Sequence, residues 1–168
     1  MNSPLIIDDY DPAELFESLR ARIAAALDGL PIRIEHVGST AVPGLAAKPV
    51  IDMDVLLESG SDFPLAASRL ASIGYQHQGE LGVEGRNAFR APPGSAPHHL
   101  YVCPDGREFQ RHIIFRDHLR DHPVDARAYA GLKRRLAVLF RHDRAGYSAT
   151  KTEFVRQILT RSWPKRGS

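Results

Sequence analysis

Two carboxylates lie inside an otherwise apolar run of the sequence, and this run constrains the fold more than any other feature. Asp52 and Asp54 interrupt the segment 50–57, which reads Val-Ile-Asp-Met-Asp-Val-Leu-Leu. The apolar residues on both sides of the acids are typical of an interior strand. Side chains two positions apart on a strand project from the same face, so the carboxylates should lie side by side. Because unpaired buried carboxylates are costly, the run predicts a bound cation or basic partners from elsewhere in the chain.

The segment before these acids contributes a second strand and a loop. Residues 32–37 alternate apolar and polar side chains, which predicts a strand, and Gly38-Ser39 follows directly. A glycine, which lacks Cβ, and a small hydroxyl allow a phosphate to approach backbone N–H groups closely. Mg²⁺ binds through one or two carboxylates plus substrate phosphates. The pattern therefore predicts a metal or phosphate site, against the alternative of a plain turn before a solvent-facing strand.

Helices are predicted at both ends of the chain and strands in its middle. Apolar residues at helical spacing, with Gly and Pro at the ends, predict helices over 12–28, 63–73, 107–120, 124–142 and 149–162. Asp62 is the expected N-cap of the second helix, and Pro123 and Gly146 are expected to separate the last three helices. Short alternating or apolar runs predict strands over 32–37, 50–57, 75–78, 86–91 and 98–103. At 168 residues one core is the default, so we expect a single α+β domain over 1–168. It would be a mixed sheet flanked by helices, with a helical C-terminal half and a flexible tail over 164–168.

Charge is distributed unevenly along the chain. The first 84 residues carry 5 Lys or Arg against 13 Asp or Glu, and the other 84 carry 17 against 7. Either two complementary surfaces attract each other within the fold, or acids that hold a cation face bases that hold a phosphate. The single cysteine, Cys103, excludes an intramolecular disulfide and is expected to be inert. With no leader pattern and no run of about 18 apolar residues, a soluble cytoplasmic protein is expected.

The central motif resembles a known family. Gly-Ser, a loop and Asp-X-Asp on the next strand form the signature of the nucleotidyltransferase superfamily. The extended form over residues 36–52, His-Val-Gly-Ser-Thr-Ala-Val-Pro-Gly-Leu-Ala-Ala-Lys-Pro-Val-Ile-Asp, is similar to the GrpB branch. The likeness continues through the segments 99–102 and 115–123 and covers about residues 7–163. Relatives of this branch occur alone or fused to dephospho-CoA kinase, which suggests nucleotide or coenzyme A metabolism.

The resemblance implies a nucleotidyltransferase-like core with an Mg²⁺ site. In such a core Asp52 and Asp54 hold Mg²⁺ and act in catalysis, and Gly38-Ser39 contacts the β- and γ-phosphates of a nucleoside triphosphate. Three basic residues would neutralise phosphate charge: Lys48, Arg86 and Arg90. The implied reaction is transfer of a nucleoside monophosphate to an acceptor hydroxyl, with release of pyrophosphate.

A third carboxylate, which active members of the superfamily usually place on a later strand, is missing from the expected position. The strand over 98–102 offers no acid, and Tyr101 departs from the His-Leu-His-Val often found in related proteins. Glu80 and Glu84, in a Gly-rich turn, are the nearest alternatives. The principal expectation is an Mg²⁺-dependent nucleotidyltransferase-like protein that binds a nucleotide or related phosphorylated ligand. The alternatives are a non-catalytic nucleotide-binding or accessory domain and a metal-dependent phosphohydrolase.

Four residues outside the motif are further candidates for the ligand site. His99 and His36 could enter the cleft, against the alternative of histidines that make backbone hydrogen bonds at strand ends. Lys133 and Lys151, each with a tyrosine four residues earlier, match the family-like C-terminal half. They are expected to line the cleft opposite the acids, against the alternative of aromatic packing with snorkelling lysines.

Two remaining patterns favour structural roles. His118 and His122 are four residues apart on a predicted helix, as metal ligands can be, but a polar helix face explains them without a third ligand. The basic run over 133–135 lies opposite an apolar stripe of the same helix, and no aromatic ladder accompanies it. Nucleic-acid and membrane partners are therefore not expected. The nucleotide, the acceptor and the oligomeric state are left open by the sequence.

Overall fold

The computed structural model describes residues 11–45 and 49–163. Within them the helices are α1 (Pro12–Ala26), α2 (Phe63–Ser72), α3 (Gly106–Asp121), α4 (Pro123–Leu139) and α5 (Arg144–Ser162). The strands are β1 (Ile32–Val37), β2 (Ile51–Leu57), β3 (Gln76–Gly79), β4 (Asn87–Arg90) and β5 (His98–Cys103). Lys48 and the predicted tail over 164–168 lie outside the described residues. No helix in the described part of the chain combines the length and apolarity needed to cross a membrane.

The strands form one mixed sheet in the order β1-β2-β5-β4-β3. β2 pairs antiparallel with β1 and parallel with β5, and the other pairs are antiparallel. A parallel pair needs a long crossover connection, which here contains α2 and the β3-β4 hairpin. The predicted α+β class, with a mixed sheet and a helical C-terminal half, is confirmed. β2 has a neighbouring strand on each side.

The two faces of β2 have different surroundings. Ile51, Met53 and Val55 are fully buried in a core that α1 and α2 complete. Burial of each such side chain stabilises the fold by about 1.5–3 kcal/mol, so this face forms the main stabilising layer. Asp52 and Asp54 alternate with these residues and project to the opposite face, on which α3 packs.

A second, smaller hydrophobic cluster joins the loop after β1 to the C-terminal helices. It consists of Val42, Leu119, Ala126, Tyr129 and Ile158. Val42 directly follows the 3₁₀ turn Ser39–Ala41, whereas the other four lie on α3, α4 and α5. Nε of Arg120, on α3, also donates to the carbonyl of Ala41 over 2.9 Å. The C-terminal helices therefore hold the loop that carries Gly38 and Ser39.

The predicted helices are confirmed, but the start of α5 and the capping of α2 differ from the sequence expectation. α5 begins at Arg144 rather than 149, because the Asp143 carboxylate accepts a hydrogen bond from the Gly146 N–H over 3.0 Å. Gly146, which the sequence suggested as a break, lies in the first turn. Asp62 was expected to cap α2, but it ends a separate 3₁₀ turn and makes no capping hydrogen bond with its side chain.

Candidate functional site

Asp52 and Asp54 lie on the same face of β2, as their alternation with apolar residues predicts. Their partners on β5 in the parallel pairing are His99 and Tyr101. Asp54 is fully buried, whereas the Asp52 side chain keeps about a third of its surface exposed. The two carboxylates are therefore not equivalent, because Asp52 can meet a ligand directly and Asp54 lies beneath it.

A histidine from α3 holds Asp54. Nδ1 of His112 forms a hydrogen-bonded ion pair with Oδ2 of Asp54. Burial lowers the pKa of His112, but the hydrogen bond and charge of Asp54 outweigh burial, so the pKa is raised. Oδ1 of Asp54 is buried and has no hydrogen-bond partner within residues 11–45 and 49–163. Since buried polar atoms are nearly always paired, this oxygen can accept a cation or a water molecule.

A second histidine and a glycine surround Asp52. Nδ1 of His99 lies 2.9 Å from Oδ1 of Asp52, and this hydrogen bond raises the pKa of His99. On the other side, a Cβ placed on Gly38 would lie 2.4 Å from Oδ2 of Asp52. Gly38 also has a φ of +76°, in the region that glycine adopts most easily. The Gly-Ser motif therefore lets the loop approach the first carboxylate closely.

Ser39 links the loop to the C-terminal helices. Nζ of Lys133, on α4, donates to Oγ of Ser39 over 2.5 Å. The same ammonium group lies 4.9 Å from the centre of the Tyr129 ring, a cation–π distance. The predicted placement of Lys133 at the cleft agrees with this geometry, and the aromatic packing weighed as its alternative is also present.

A cleft opens above Asp52 and has two lobes. The serine lobe, of about 640 Å³, is lined among others by Ser39, Thr40, Lys133, Arg134 and Tyr147. The arginine lobe, of about 440 Å³, is lined among others by Gly38, Arg86, Tyr101, Glu108, Arg111 and His112. Three residues line both lobes: Asp52, His99 and Lys151. The Gly-Ser and Asp-X-Asp motifs thus meet cations from the C-terminal half, as the uneven charge distribution suggested.

The three arginine and lysine residues expected to neutralise phosphate charge occupy different places. Arg86 lines the arginine lobe but not the serine lobe, and its guanidinium carbon lies 4.3 Å from the centre of the Tyr101 ring. Arg90 is exposed at the end of β4 and lines neither lobe. Lys48 lies outside the described residues. The structure therefore brings Arg86 to the cleft and leaves Arg90 apart from it.

No third acid joins Asp52 and Asp54 in the described part of the chain. No group of three or more His, Cys, Asp or Glu side chains suited to a metal ion occurs there. Glu80 and Glu84 are exposed and line neither lobe, and Glu80 instead accepts a hydrogen bond from the Gly85 N–H over 2.5 Å. The carboxylate that does reach the arginine lobe is Glu108, whose Oε2 lies 3.9 Å from Nε2 of His112.

Sequence reasoning missed His112 and Glu108. Their spacing of four residues on a predicted helix was visible, but nothing in the sequence placed that helix over Asp54. The register of β5 against β2 brings Tyr101, and no acid, beside Asp54. The pairing of β5 with β2 brings the imidazole of His99 to Asp52, and the packing of α3 on the sheet brings that of His112 to Asp54.

Three histidine candidates have structural environments outside the two lobes. His36 is buried, stacks on Phe16 with a centroid distance of 4.8 Å and lies 2.8 Å from Oγ1 of Thr40. Burial lowers the pKa of His36 to about 4, and the charge of Arg120 adds to this effect. His118 and His122 stack on each other, and Nε2 of His118 lies 2.6 Å from Asp125. The contacts of His118 and His122 fit a polar helix face, whereas His36 contacts a side-chain hydroxyl and an aromatic ring rather than the backbone group weighed as its alternative.

Comparison with known proteins identifies the family. The model of the GrpB protein family matches residues 4–161. A UPF0157 protein of Pseudomonas aeruginosa is 43% identical over 150 residues, which cover 87% of this chain and 61% of that protein. The chain therefore spans less than two thirds of the length of that relative. A crystal structure of the conserved protein GrpB from Enterococcus faecalis is 32% identical, has a TM-score of 0.75, and matches over 91% of this chain and 95% of its own.

More distant similarities agree with the expectations from the sequence. Terminal uridylyl transferase 4 of Trypanosoma brucei, solved with bound UPU, matches over 94% of this chain and 56% of its own, with a TM-score of 0.53 and 13% identity. This similarity shows the nucleotidyltransferase-like fold. A dephospho-CoA kinase of Mycolicibacterium paratuberculosis is 27% identical over 84% of this chain and 41% of its own length, in agreement with the expected fusions. On its motif, its fold and these relatives, the chain belongs to the GrpB family.

Proposed function

We propose that the cleft binds a nucleoside triphosphate, or a related phosphorylated ligand, together with Mg²⁺. The observation that carries this proposal is the composition of the serine lobe. It brings Ser39 of the Gly-Ser motif and Asp52 of the Asp-X-Asp motif into one cavity with Lys133 and Lys151. A cavity with one partly exposed carboxylate, two ammonium groups and a hydroxyl suits a phosphate chain that shares a divalent cation with the protein.

The phosphate chain would lie against the loop and the C-terminal helices. Lys133 is already positioned at Oγ of Ser39, 2.5 Å away, so a phosphate oxygen near this hydroxyl would also meet the ammonium group. Lys151 lines both lobes and would neutralise charge near Asp52. Charge-assisted hydrogen bonds of this kind are about twice as strong as neutral ones, so these lysines would supply much of the affinity.

The two carboxylates fit Mg²⁺ only with oxygen ligands from the substrate. Asp54 retains a buried oxygen without a partner in the described residues, and Asp52 keeps an exposed edge. Two carboxylates are what Mg²⁺ usually takes from a protein, with phosphates and water completing its shell. Bound there, the ion would neutralise charge on the phosphates.

A second function, transfer of a nucleoside monophosphate, is favoured by the position of His99. This residue lies where the lobes meet, and Asp52 contacts its Nδ1, which leaves Nε2 to accept a proton. The acceptor oxygen would bond to the α-phosphorus, the bond from this phosphorus to pyrophosphate would break, and the acceptor proton would pass to Nε2. His99 would thus take over the proton-accepting role of the missing third acid.

Calorimetric titration of the chain with ATP, CTP, GTP, UTP and dephospho-CoA, with and without Mg²⁺, tests the binding proposal. At least one ligand should bind in an Mg²⁺-dependent manner, and Asp52→Asn should weaken this binding about tenfold or more. Asp28→Asn, at an exposed aspartate that lines neither lobe, is the matched control and should bind like the wild type. Absence of Mg²⁺-dependent binding to all five, or an unchanged Asp52→Asn variant, would overturn the proposal.

The products separate the possible activities of the bound state. Pyrophosphate release with a suitable acceptor indicates nucleotidyl transfer, and inorganic phosphate release indicates a phosphohydrolase. Ligand binding without either product indicates the non-catalytic accessory domain. Binding of dephospho-CoA in the titration would support a role in coenzyme A metabolism. Without it, that role stays a prediction.

A further inference from the structure

The arginine lobe contains more cationic side chains than neighbouring carboxylates can pair with. Three ion pairs occupy the acids in and beneath this lobe: His99 with Asp52, His112 with Asp54, and Arg111 with Glu108. Arg86 and Lys151 line the same lobe, and no carboxylate within residues 11–45 and 49–163 lies within ion-pair distance of either. Two positive charges thus face this space without a compensating acid, which favours an anion there.

Arg86 is held in a defined orientation. Its guanidinium carbon lies 4.3 Å from the centre of the Tyr101 ring, so the cation lies over the aromatic face. Its Nε is buried and has no hydrogen-bond acceptor among the residues that the structure describes. A buried donor without an acceptor costs free energy, so this geometry is costly unless an acceptor is supplied. A guanidinium group presents its N–H groups as a planar fork that matches the oxygens of a carboxylate or a phosphate.

Arg86 and Lys133 lie in different parts of the cleft. Arg86 lines only the arginine lobe and Lys133 lines only the serine lobe. Asp52, His99 and Lys151 line both. A phosphate chain placed at Ser39 and Lys133 therefore leaves Arg86 for a different group. Any second ligand in the arginine lobe would meet the first one at Asp52 and His99.

We propose that the arginine lobe binds a second, small ligand through an oxyanion, a carboxylate or a phosphate, that Arg86 recognises. Tyr101 contacts the guanidinium group, and Lys151 adds a second positive charge in the same lobe. This inference rests on the proposed function of the serine lobe and names the class of the acceptor: an anionic small molecule with a hydroxyl group directed toward His99.

The test separates the two lobes by titration. The serine lobe is first saturated with Mg²⁺ and the α,β-methylene analogue of ATP or UTP, which cannot transfer a nucleoside monophosphate. Inorganic phosphate and acetate are then titrated separately, so that the two arms distinguish a phosphate from a carboxylate. At least one should bind the wild type, and Arg86→Gln should weaken it about tenfold or more while nucleotide affinity stays within about twofold.

Two variants serve as controls. Arg90→Gln makes the same charge change on β4 outside both lobes and should bind both ligands like the wild type. Arg86→Lys keeps the charge but loses the planar fork, so it should recover only part of the anion affinity. The melting temperature of each variant shows whether it is folded.

Three results would overturn the inference. One is that neither anion binds the nucleotide-loaded wild type. Another is that Arg86→Gln weakens nucleotide binding as much as Lys133→Gln does. This result would place Arg86 in the triphosphate site and would not contradict the proposed function. If no nucleotide binds, the proposed function fails, and the anions are titrated into the free protein instead. Equal anion affinity of the Arg86→Gln and Arg90→Gln variants then overturns the oxyanion site. A loss of anion affinity in Arg86→Gln alone supports it.

Discussion

Gly38 lies directly against Asp52, and a Cβ on Gly38 would be 2.4 Å from Oδ2 of that carboxylate. The glycine therefore has two roles. It adopts a φ of +76°, and it leaves room for the carboxylate beside the loop. Gly29 also has a positive φ, of +85°, but a Cβ there would meet no atom within 4 Å, so it serves as a comparison without the steric contact.

Gly38→Ala should destabilise the fold by about 2 kcal/mol or more, because backbone strain and the contact with Asp52 add together. Gly29→Ala carries only the strain and should cost about 1 kcal/mol. Urea unfolding of both variants measures the difference. Gly38→Ala should also lose Mg²⁺-dependent nucleotide binding. Equal losses of stability in the two variants, with nucleotide binding unchanged in Gly38→Ala, would show that Asp52 moves aside freely.

Lys133→Gln should weaken triphosphate binding about tenfold or more, because it removes the ammonium group at Oγ of Ser39. Arg135→Gln removes a positive charge from the exposed side of the same helix and should leave the affinity nearly unchanged. Calorimetric titration at two salt concentrations measures both variants. Equal weakening by both would mean that Lys133 contributes only to the general field of the helix.

Arg116 ties α3 to β1. Its NH1 donates to Oε2 of Glu35 over 2.8 Å and to the carbonyl of His36 over 3.0 Å, and the residue is buried. Arg116→Met should lower the free energy of unfolding by about 2–3 kcal/mol, because it leaves the partly buried Glu35 and a carbonyl without this donor. Arg156→Met, which breaks an exposed pair with Glu153, should change stability little. Chemical unfolding compares the two, and a similar small loss would contradict the structural role of Arg116.

Stability should fall as the pH decreases from about 6.5 to about 4, because His36 is held neutral by burial. Its pKa is lowered from 6.5 to about 4, so in this range the unfolded chain binds a proton that the folded chain does not. A shift of this size corresponds to at most about 3 kcal/mol. His36→Gln should flatten this part of the stability profile, whereas His77→Gln, at an exposed histidine, should not. Identical profiles for both variants would show that other groups cause the acid instability.

The sequence predicted the fold well because its strongest signals are local. The apolar run around Asp52 and Asp54 fixes an interior strand, and Pro and Asp residues mark helix starts, as at Asp11, whose carboxylate accepts from the Ala13 N–H over 2.9 Å. The start of α5 was misplaced because glycine usually breaks a helix, and only the capping contact from Asp143 shows that Gly146 belongs to the first turn.

The site was predictable where its residues follow one another on adjacent elements. Gly38, Ser39 and Asp52 meet because β1 and β2 pair directly, with Val37 opposite Asp52 and Gly38 next in the chain. The contact of His112 with Asp54 joins residues 58 positions apart, and it depends on how α3 packs over the sheet. Periodicity shows which face of a helix is apolar, but it does not show which strand that helix crosses.

Val42 joins the loop with Gly38 and Ser39 to the small cluster of Leu119, Ala126, Tyr129 and Ile158, whereas the sheet has its own core on the opposite face. The helices could therefore open locally while the sheet stays folded. Such an opening would disorder the turn at Gly38 and Ser39 without unfolding β2. Binding would then oppose this opening, so the backbone amides of α4 and α5 should exchange with deuterium more slowly when a ligand is bound. Val42, Leu119, Ala126 and Ile158, which line neither lobe, would in this way affect the fraction of molecules able to bind a ligand.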